Sequence, residues 1–242
     1  MNFSLEITMK TELSTLPKIK DVYITMLPGD SFKSVATKAK ELVQSGFNPV
    51  PHFPARSIKN LIELKEYVRM CKENGVKQAL VIGGSTQPIG DFHCSLQLLE
   101  TGLFEGFKIG IAGHPDGSPD ISDSDLEKAM KDKKPFADYI VTQWLLDSQS
   151  IAKFISKQTL PVHVGITGPL KISSLLKFAS IVGAKNSLNF LKSNATKAVD
   201  LLKPKDPNEL IESLKSTTEN FHIYTFGGLK ETNKWLEENN YA

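Results

Sequence analysis

The feature that most constrains the fold is a short apolar run that occurs eight times along the chain. Each run is followed by turn residues and then by a stretch with helical spacing of its apolar residues. Most runs lack strict alternation, which is typical of strands buried on both faces of a parallel sheet. The runs are Phe3–Thr8, Val22–Leu27, Pro49–Phe53, Ala79–Gly84, Lys108–His114, Tyr139–Leu145, Pro161–Thr167 and Phe221–Gly228.

The number and order of these runs favour a closed barrel. Eight strands that alternate with helices in 242 residues fit an α/β fold of the (β/α)₈ TIM-barrel type. The alternative is an open doubly wound sheet, which usually carries a glycine-rich phosphate loop after its first strand. Here the segment after strand one, MKTELST, contains no glycine. We therefore predict a single barrel domain over residues 1–242, with extra helices between strands seven and eight, from Asn186 to Leu214.

Helix boundaries follow from capping residues. Asp147 can cap the first turn of a helix after strand six, and Gly46, Gly75 and Gly183 are placed to end helices.

Composition and charge exclude several classes of protein. A formal net charge of +2, with Lys and Arg spread along the chain, argues against nucleic-acid binding. No apolar run reaches the roughly 18 residues of a membrane span, and the amino terminus lacks a signal-peptide pattern. Cys71 and Cys94 have no CxxC spacing, and the histidines show no HxxxH or HxH pattern, so neither a disulfide framework nor a metal site is expected. A soluble, cytoplasmic protein is predicted.

Polar side chains stand at nearly every predicted strand end. In a TIM barrel the carboxyl ends of the strands and the loops after them form the active-site face. The sequence therefore predicts a concave polar site on that face. Its candidate residues are Glu6 and Thr8, Thr25, His52 with Arg56, Gly83, Gly84 and Ser85, His114 with Asp116, Gln143, Thr167 with Lys171, and Tyr224 with Thr225.

Each candidate also has a purely structural interpretation. Glu6 lies in an apolar strand, where it is either a proton donor whose pKa burial raises or the partner of a lysine in a salt bridge. His114 and Asp116 belong either to a site or to a solvated turn. Gln143 is either a ligand contact or a core amide satisfied by the backbone.

The remaining features are less specific. Gly83 and Gly84 allow a ligand to approach the backbone closely, although a glycine pair alone is a weak signal. His163 and His222 lie within apolar strands and are interpreted as satisfied core histidines. His93 and Cys94 fall in a surface segment.

Several segments, in order and spanning Phe3 to Gly228, resemble the methylenetetrahydrofolate reductase family. They are FSLEIT, VYITMLPGD, FNPVPHFPARSI, LVIGGS, IGIAGHPDGSPD, VTQWLLD, PVHVGITGP and FHIYTFGG. The resemblance implies an eight-stranded barrel that interconverts 5,10-methylenetetrahydrofolate and 5-methyltetrahydrofolate with NAD(P)H, usually through bound FAD. Tetrahydrofolate derivatives are then the expected partners. Self-association into a homo-oligomer, the choice between NADH and NADPH, and the direction of the reaction are left open.

The resemblance also implies residue roles. Glu6 would be the catalytic acid, and Gln143 would contact folate and the nicotinamide in turn. Ser85, Thr8 and Lys171 join Gln143 as candidate substrate contacts. The candidate cofactor contacts are Thr25, His52, Gly83, Gly84, Ser85, His114, Pro115 and Asp116.

Departures from the family pattern affect the expected cofactor. Flavin-binding members carry Arg-Gly-Asp where this chain has Gly83-Gly84-Ser85. Charge-assisted hydrogen bonds contribute about 1.5–3 kcal/mol each, so FAD is expected to bind weakly if it binds. The alternatives are a folate-dependent methyl-transfer protein and a non-catalytic folate-binding barrel.

Overall fold

Eight parallel strands close into a barrel, which confirms the predicted TIM-barrel class. The computed structural model describes residues 1–118, 121–182 and 204–241, with side chains described outside 178–182 and 204–205. Around the barrel the strands follow the order β1-β10-β7-β6-β5-β4-β3-β2. They are β1 (Asn2–Ile7), β2 (Asp21–Ile24), β3 (Asn48–Pro54), β4 (Gln78–Ile82), β5 (Lys108–Gly113), β6 (Tyr139–Trp144), β7 (Val162–Thr167) and β10 (Asn220–Tyr224).

Helices alternate with the barrel strands, as the sequence predicts. Short 3-10 turns lie at Leu13–Thr15, Ala55–Ser57 and Lys134–Phe136. The α-helices of the described residues are α1 (Phe32–Gln44), α2 (Leu61–Glu73), α3 (Ser95–Leu99), α4 (Asp123–Lys133), α5 (Ser148–Ser156), α6 (Ile172–Val182), α7 (Asn208–Leu214) and α8 (Leu229–Glu238).

The segment between β7 and β10 adds a two-stranded antiparallel sheet, β8 (Leu170–Lys171) with β9 (Pro204–Lys205). Helix α7 lies in the region where extra helices are predicted, and the part of that prediction over 186–203 lies outside the described residues. In the part of the chain that the structure describes, no helix is long and apolar enough to cross a membrane.

Local capping sets the helix ends. Asp147 caps α5, since its carboxylate accepts a hydrogen bond from the Gln149 amide, as predicted. Gly46 and Gly75 follow α1 and α2 with φ angles of 82° and 81°, a left-handed conformation that favours glycine. Gly183 lies outside the described residues.

The barrel strands separate two apolar layers. The main core lies between the strands and the helices, and its largest members include Leu5, Ile7, Ile24 and Phe53. A smaller cluster packs separately from this core and gathers residues of β2 to β4 and β6, namely Tyr23, Val50, Leu80, Tyr139 and Val141. Since side chains alternate along a strand, the smaller cluster fills the barrel interior.

Two strand glycines make room for large interior rings. A Cβ at Gly110 would lie 2.6 Å from the Tyr139 ring. At Gly165 it would lie 2.6 Å from the Thr142 carbonyl oxygen and 2.7 Å from that of Gln143, close to the Tyr224 ring. Backbone carbonyls of a neighbouring strand cannot move aside as a flexible side chain can. Gly165 therefore allows β6 and β7 to approach closely below the candidate site.

We expect Gly165→Ala to lower the free energy of unfolding by about 3 kcal/mol, the upper end of the usual cost of overpacking. Gly83→Ala is a matched control, because nothing lies within 4 Å of a Cβ at that strand end. Urea unfolding of both variants measures the difference. Equal stability of the two variants would contradict the close packing of β6 against β7.

Candidate active site

The buried centre of the barrel holds one carboxylate between two histidines. Glu6 on β1 has Oε2 located 3.5 Å from Nε2 of His52 on β3 and 3.5 Å from Nε2 of His222 on β10. The Glu6 side chain is 19% exposed, while those of His52 and His222 are 6% and 0% exposed. The predicted alternative of a lysine partner is wrong within the described residues, because histidines occupy that place.

These contacts place the carboxylate in its ionised form. Burial by itself raises the pKa of Glu6, but the nearby His222 and His52 rings and the Thr25 hydroxyl favour the carboxylate form, and together they lower this pKa below its usual value. The predicted upward shift of this pKa is therefore wrong. Near neutral pH the Glu6 carboxylate is ionised, so it must accept a proton before it can donate one.

The two histidines are held differently. Burial lowers the pKa of His52, and this effect outweighs the attraction of the Glu6 carboxylate, so the ring is neutral at rest. His222 is packed edge-to-face against Tyr23 and Tyr224, with ring centroids 4.4 and 4.7 Å away. Nδ1 of His222 lies 2.9 Å from the Ser4 hydroxyl.

His222 is the residue that sequence reasoning missed. Its apolar neighbours, Phe221 and Ile223, predict a core histidine instead. Strand β10 pairs with β1 in the register Ser4↔His222 and Glu6↔Tyr224. A closed barrel makes the first and last strands neighbours, so the pairing of these two strands was the signal that could have identified it.

Several buried polar atoms at the carboxyl ends of the strands have no hydrogen-bond partner among the described residues. Such atoms are rare in folded proteins and call for an explanation, such as a bound ligand or water. Two are N–H donors on neighbouring residues of β6, Gln143 Nε2 and Trp144 Nε1. Thr86 Oγ1 lies in the loop after β4, and the three atoms around Glu6 are Thr25 Oγ1, His52 Nε2 and His222 Nε2.

Aromatic rings of Tyr224 and Phe226 pack near the Trp144 indole. Tyr224 and Phe226 stack with an interplanar angle of 13° and a centroid distance of 5.7 Å, and Trp144 meets Phe226 edge-to-face at 6.1 Å. The Tyr224 hydroxyl donates to the Thr142 carbonyl oxygen at 2.9 Å. Phe226 has a φ of 44°, which is uncommon for a residue with a side chain and is often found at functional loops.

The predicted cofactor contacts after β5 lie in a different place. His114, Pro115 and Asp116 line a cavity of about 630 Å³ between α4 and α5, a lining that does not include Glu6. Burial, followed by the nearby charge of Lys133, lowers the pKa of His114 to about 4. Five lysines line the same cavity, namely Lys131, Lys133, Lys134, Lys153 and Lys157.

The charge of this cleft suits an anionic group. Lys133 is only 8% exposed, and burial lowers the pKa of its ammonium group. Lys157 is paired with Glu127 at 3.8 Å. A buried ammonium group is costly without a counter-charge, so an anion in the cleft would be stabilised there.

The glycines after β4 have structural contacts. The Arg56 amide donates to the Gly83 carbonyl oxygen at 3.0 Å, and Arg56 Nη1 donates to that of Gly84 at 3.4 Å. Gly84 has a φ of 89° and packs against Pro54. The left-handed φ and the nearby Pro54 account for a glycine at position 84, whereas nothing lies within 4 Å of a Cβ at Gly83, and Ser85 is exposed beside them.

The predicted substrate contacts at Thr8 and Lys171 are peripheral. Thr8 closes a turn with Thr11, whose amide donates to the Thr8 carbonyl oxygen at 3.1 Å. Lys171 is an exposed residue of the β8–β9 sheet. The predicted residues that the structure brings together at one centre are Glu6, Thr25, His52, Tyr224 and Thr225.

The donor set does not fit a divalent metal. In residues 1–118, 121–182 and 204–241, no three His, Cys, Asp or Glu side chains are arranged to hold a metal ion. At the Glu6 centre both histidine nitrogens approach the same carboxylate oxygen. We therefore derive no step that depends on a metal.

Comparison with known proteins finds likeness in fold. No family model matches the chain. An oxaloacetate acetylhydrolase structure is 10% identical, with a TM-score of 0.56 over 99% of this chain and 80% of that one. Its complex with the inhibitor 3,3-difluorooxalacetate gives 11% identity and the same TM-score and coverage. A 2,3-dimethylmalate lyase of the PEP mutase/isocitrate lyase superfamily is 8% identical, with a TM-score of 0.57 over 99% and 83% of the two chains. At such identities the likeness establishes the barrel fold alone.

These comparisons correct the interpretation drawn from the resemblance. The similar structures are lyase-superfamily members and a hydrolase, so the assignment to the methylenetetrahydrofolate reductase family is wrong. The folate oxidoreductase function, the two folate-based alternatives, and NAD(P)H and FAD as cofactors are corrected with it. The eight quoted segments suggested the wrong family because glycine and polar residues occur at the strand ends of TIM barrels in general. The expected tetrahydrofolate partner, homo-oligomer and cytoplasmic location are untested and stay predictions.

Proposed function

We propose that this chain is an enzyme that uses Glu6 to move a proton on a small, oxygen-rich acid bound at the carboxyl end of the barrel. The observation that supports this most strongly is the buried Glu6 carboxylate between two histidine nitrogens that have no other hydrogen-bond partner in the described part. A structural ion pair would ordinarily have its remaining polar atoms satisfied. Unsatisfied donors around an ionised carboxylate instead suit a group that exchanges protons.

The substrate class follows from the unpartnered donors. Gln143 Nε2 and Trp144 Nε1 are N–H groups, and their natural partners are the carbonyl or carboxylate oxygens of a ligand. The stacked rings of Tyr224 and Phe226 lie near the Trp144 indole, and the carbon skeleton of such a ligand would pack against apolar groups of this kind. A small hydroxy or oxo acid combines these features.

Carbon–carbon bond cleavage is the reaction that we propose first. In a hydroxy acid, Glu6 would take the hydroxyl proton, and the hydroxyl carbon would become a carbonyl as the adjacent carbon–carbon bond breaks. The electron pair of that bond would leave on the carbon next to the second carboxylate, as an enolate. A proton from the Glu6–histidine centre would then convert the enolate to the released acid, which restores the carboxylate. The lyase among the structures of similar fold supports this choice of reaction.

A turnover experiment tests the proposal. The protein is incubated with 2,3-dimethylmalate, oxaloacetate and a series of other hydroxy and oxo acids, with and without added Mg²⁺, and products are followed by proton NMR. We expect cleavage of at least one acid by the wild-type protein and none by Glu6→Gln. If no acid is turned over and none shifts the side-chain N–H signals of Gln143 Nε2 or Trp144 Nε1, the proposal fails.

A further inference from the structure

The cleft between α4 and α5 contains a buried ammonium group. Lys133, the last residue of α4, lines this cleft and is only 8% exposed. In the part of the chain that the structure describes, no carboxylate pairs with Lys133 and its ammonium group makes no hydrogen bond. Lysines are almost never buried without a partner, because an ammonium group that leaves water without a counter-charge costs free energy. A partner for Lys133 is therefore expected from outside the described residues.

The lining of the cleft carries more positive than negative charge. Its five lysines face three carboxylates, those of Asp116, Asp123 and Glu127, which is an excess of two positive charges. Glu127 is already paired with Lys157 at 3.8 Å. Carboxylates of the described lining thus do not neutralise the cleft, and an anionic ligand would be attracted to it.

Apolar side chains of both helices line the same cleft. They are Leu126 and Met130 of α4 and Phe154 of α5, and each is half-buried. A Cβ at Gly113 would lie 2.9 Å from Cζ of Phe154, so this ring packs directly against the backbone of β5. The cleft volume of about 630 Å³ is that of a pocket for a small organic molecule and exceeds what a single inorganic ion needs.

We propose that the cleft between α4 and α5 binds a small organic oxyanion, with its phosphate or carboxylate group on Lys133 and its carbon skeleton on Met130 and Phe154. Either oxyanion supplies the counter-charge and the hydrogen-bond acceptors that the Lys133 ammonium group lacks. This is a second site, because the lining of the cleft does not include Glu6. Binding in the cleft does not depend on the function proposed for Glu6.

Calorimetric titration of the wild-type protein with three small probes tests the proposal. The probes are phenyl phosphate, benzoate and phenol, added in phosphate-free buffer at physiological salt so that weak attraction to surface lysines is screened. We expect phenyl phosphate or benzoate to bind, and the tighter of the two identifies the charged group of the ligand. Phenol has the same ring without the charge and should not bind measurably. Equal binding of phenol, or no binding of either anion, would overturn the proposal.

Lys133→Met removes the charge and retains an apolar side chain of similar length. It should weaken binding of the anion by about 10-fold or more, the loss of one charge-assisted hydrogen bond. The urea midpoint should stay equal or rise, because the variant loses an unpaired buried charge. Lys128→Met is the matched control, since Lys128 is an exposed residue of α4 that lies outside the cleft lining. It should bind the anion as the wild-type protein does. Unchanged binding in Lys133→Met shows that Lys133 is not the ligand contact and overturns the proposal.

NMR of the wild-type protein locates the probe even if Lys133→Met does not fold. The bound anion should shift the ring signals of His114 and Phe154, which line the cleft, and leave those of His222 unchanged. Shifts at His222 without shifts at His114 would place the probe at the Glu6 centre and contradict a site in the cleft. Turnover at Glu6 without binding in the cleft would support the proposed function alone. Binding in the cleft without turnover of any acid would support the second site alone.

Discussion

Glu6→Gln is expected to lower kcat/KM by at least about 100-fold, the lower range of what a general acid–base group contributes. The amide has nearly the shape of the carboxylate and can stay between His52 and His222, but it cannot accept a proton at neutral pH. The measurement is steady-state turnover of the acid identified by the substrate series, with circular dichroism to confirm that the fold is retained.

Glu12→Gln is the matched control, because it makes the same chemical change at an exposed carboxylate outside the barrel. It should keep wild-type kcat/KM. Wild-type activity in a folded Glu6→Gln variant would remove Glu6 from the mechanism and leave its two histidines as parts of a structural cluster.

The second large effect is a loss of stability in mild acid. Burial lowers the pKa of both His114 and His163 to about 4, from about 6.5 in the unfolded chain. Below pH 6.5 the unfolded chain therefore binds protons that the folded protein does not, and the free energy of unfolding falls until the pH reaches about 4. At pH 5 the expected loss is about 2 kcal/mol for each histidine. Urea unfolding at pH 7.5 and pH 5 measures it.

Replacing the buried rings should flatten this dependence. The double variant His114→Gln/His163→Gln is expected to lose most of the difference between the two pH values. His93→Gln, which removes a histidine in an exposed position, should behave as the wild-type protein does. A double variant that is as acid-sensitive as the wild-type protein would contradict the assignment to His114 and His163.

The fold was accessible from the sequence because strand burial leaves a strong local pattern. All eight apolar runs became barrel strands, displaced by a few residues at their ends, as in the run Val22–Leu27, whose strand stops at Ile24. The small strands β8 and β9, at Leu170–Lys171 and Pro204–Lys205, were not foreseen. Two-residue strands bury too little apolar surface to leave a periodic signal.

The candidate site was only partly accessible. Glu6 was identified because a carboxylate in an apolar strand is unusual, but its pKa direction depends on two histidines 46 and 216 positions away along the chain. The sequence predicts that the His114 loop lies near Glu6, because both are at the carboxyl ends of barrel strands. In the eight-strand ring β5 lies opposite β1, and the loop opens outward into the cleft between α4 and α5. Two residues at the carboxyl ends of barrel strands can therefore point towards different parts of the molecule.

The barrel closes where β1 pairs with β10, and this pairing determines when the surroundings of Glu6 are completed during synthesis. Glu6 on β1 is synthesised long before His222 on β10, the second imidazole that faces its carboxylate. In a nascent chain with only the first seven barrel strands, the Glu6 carboxylate would have His52 beside it but not His222. The Glu6 centre is therefore complete only after β10 docks against β1, and the activity proposed for this centre would not arise before that step.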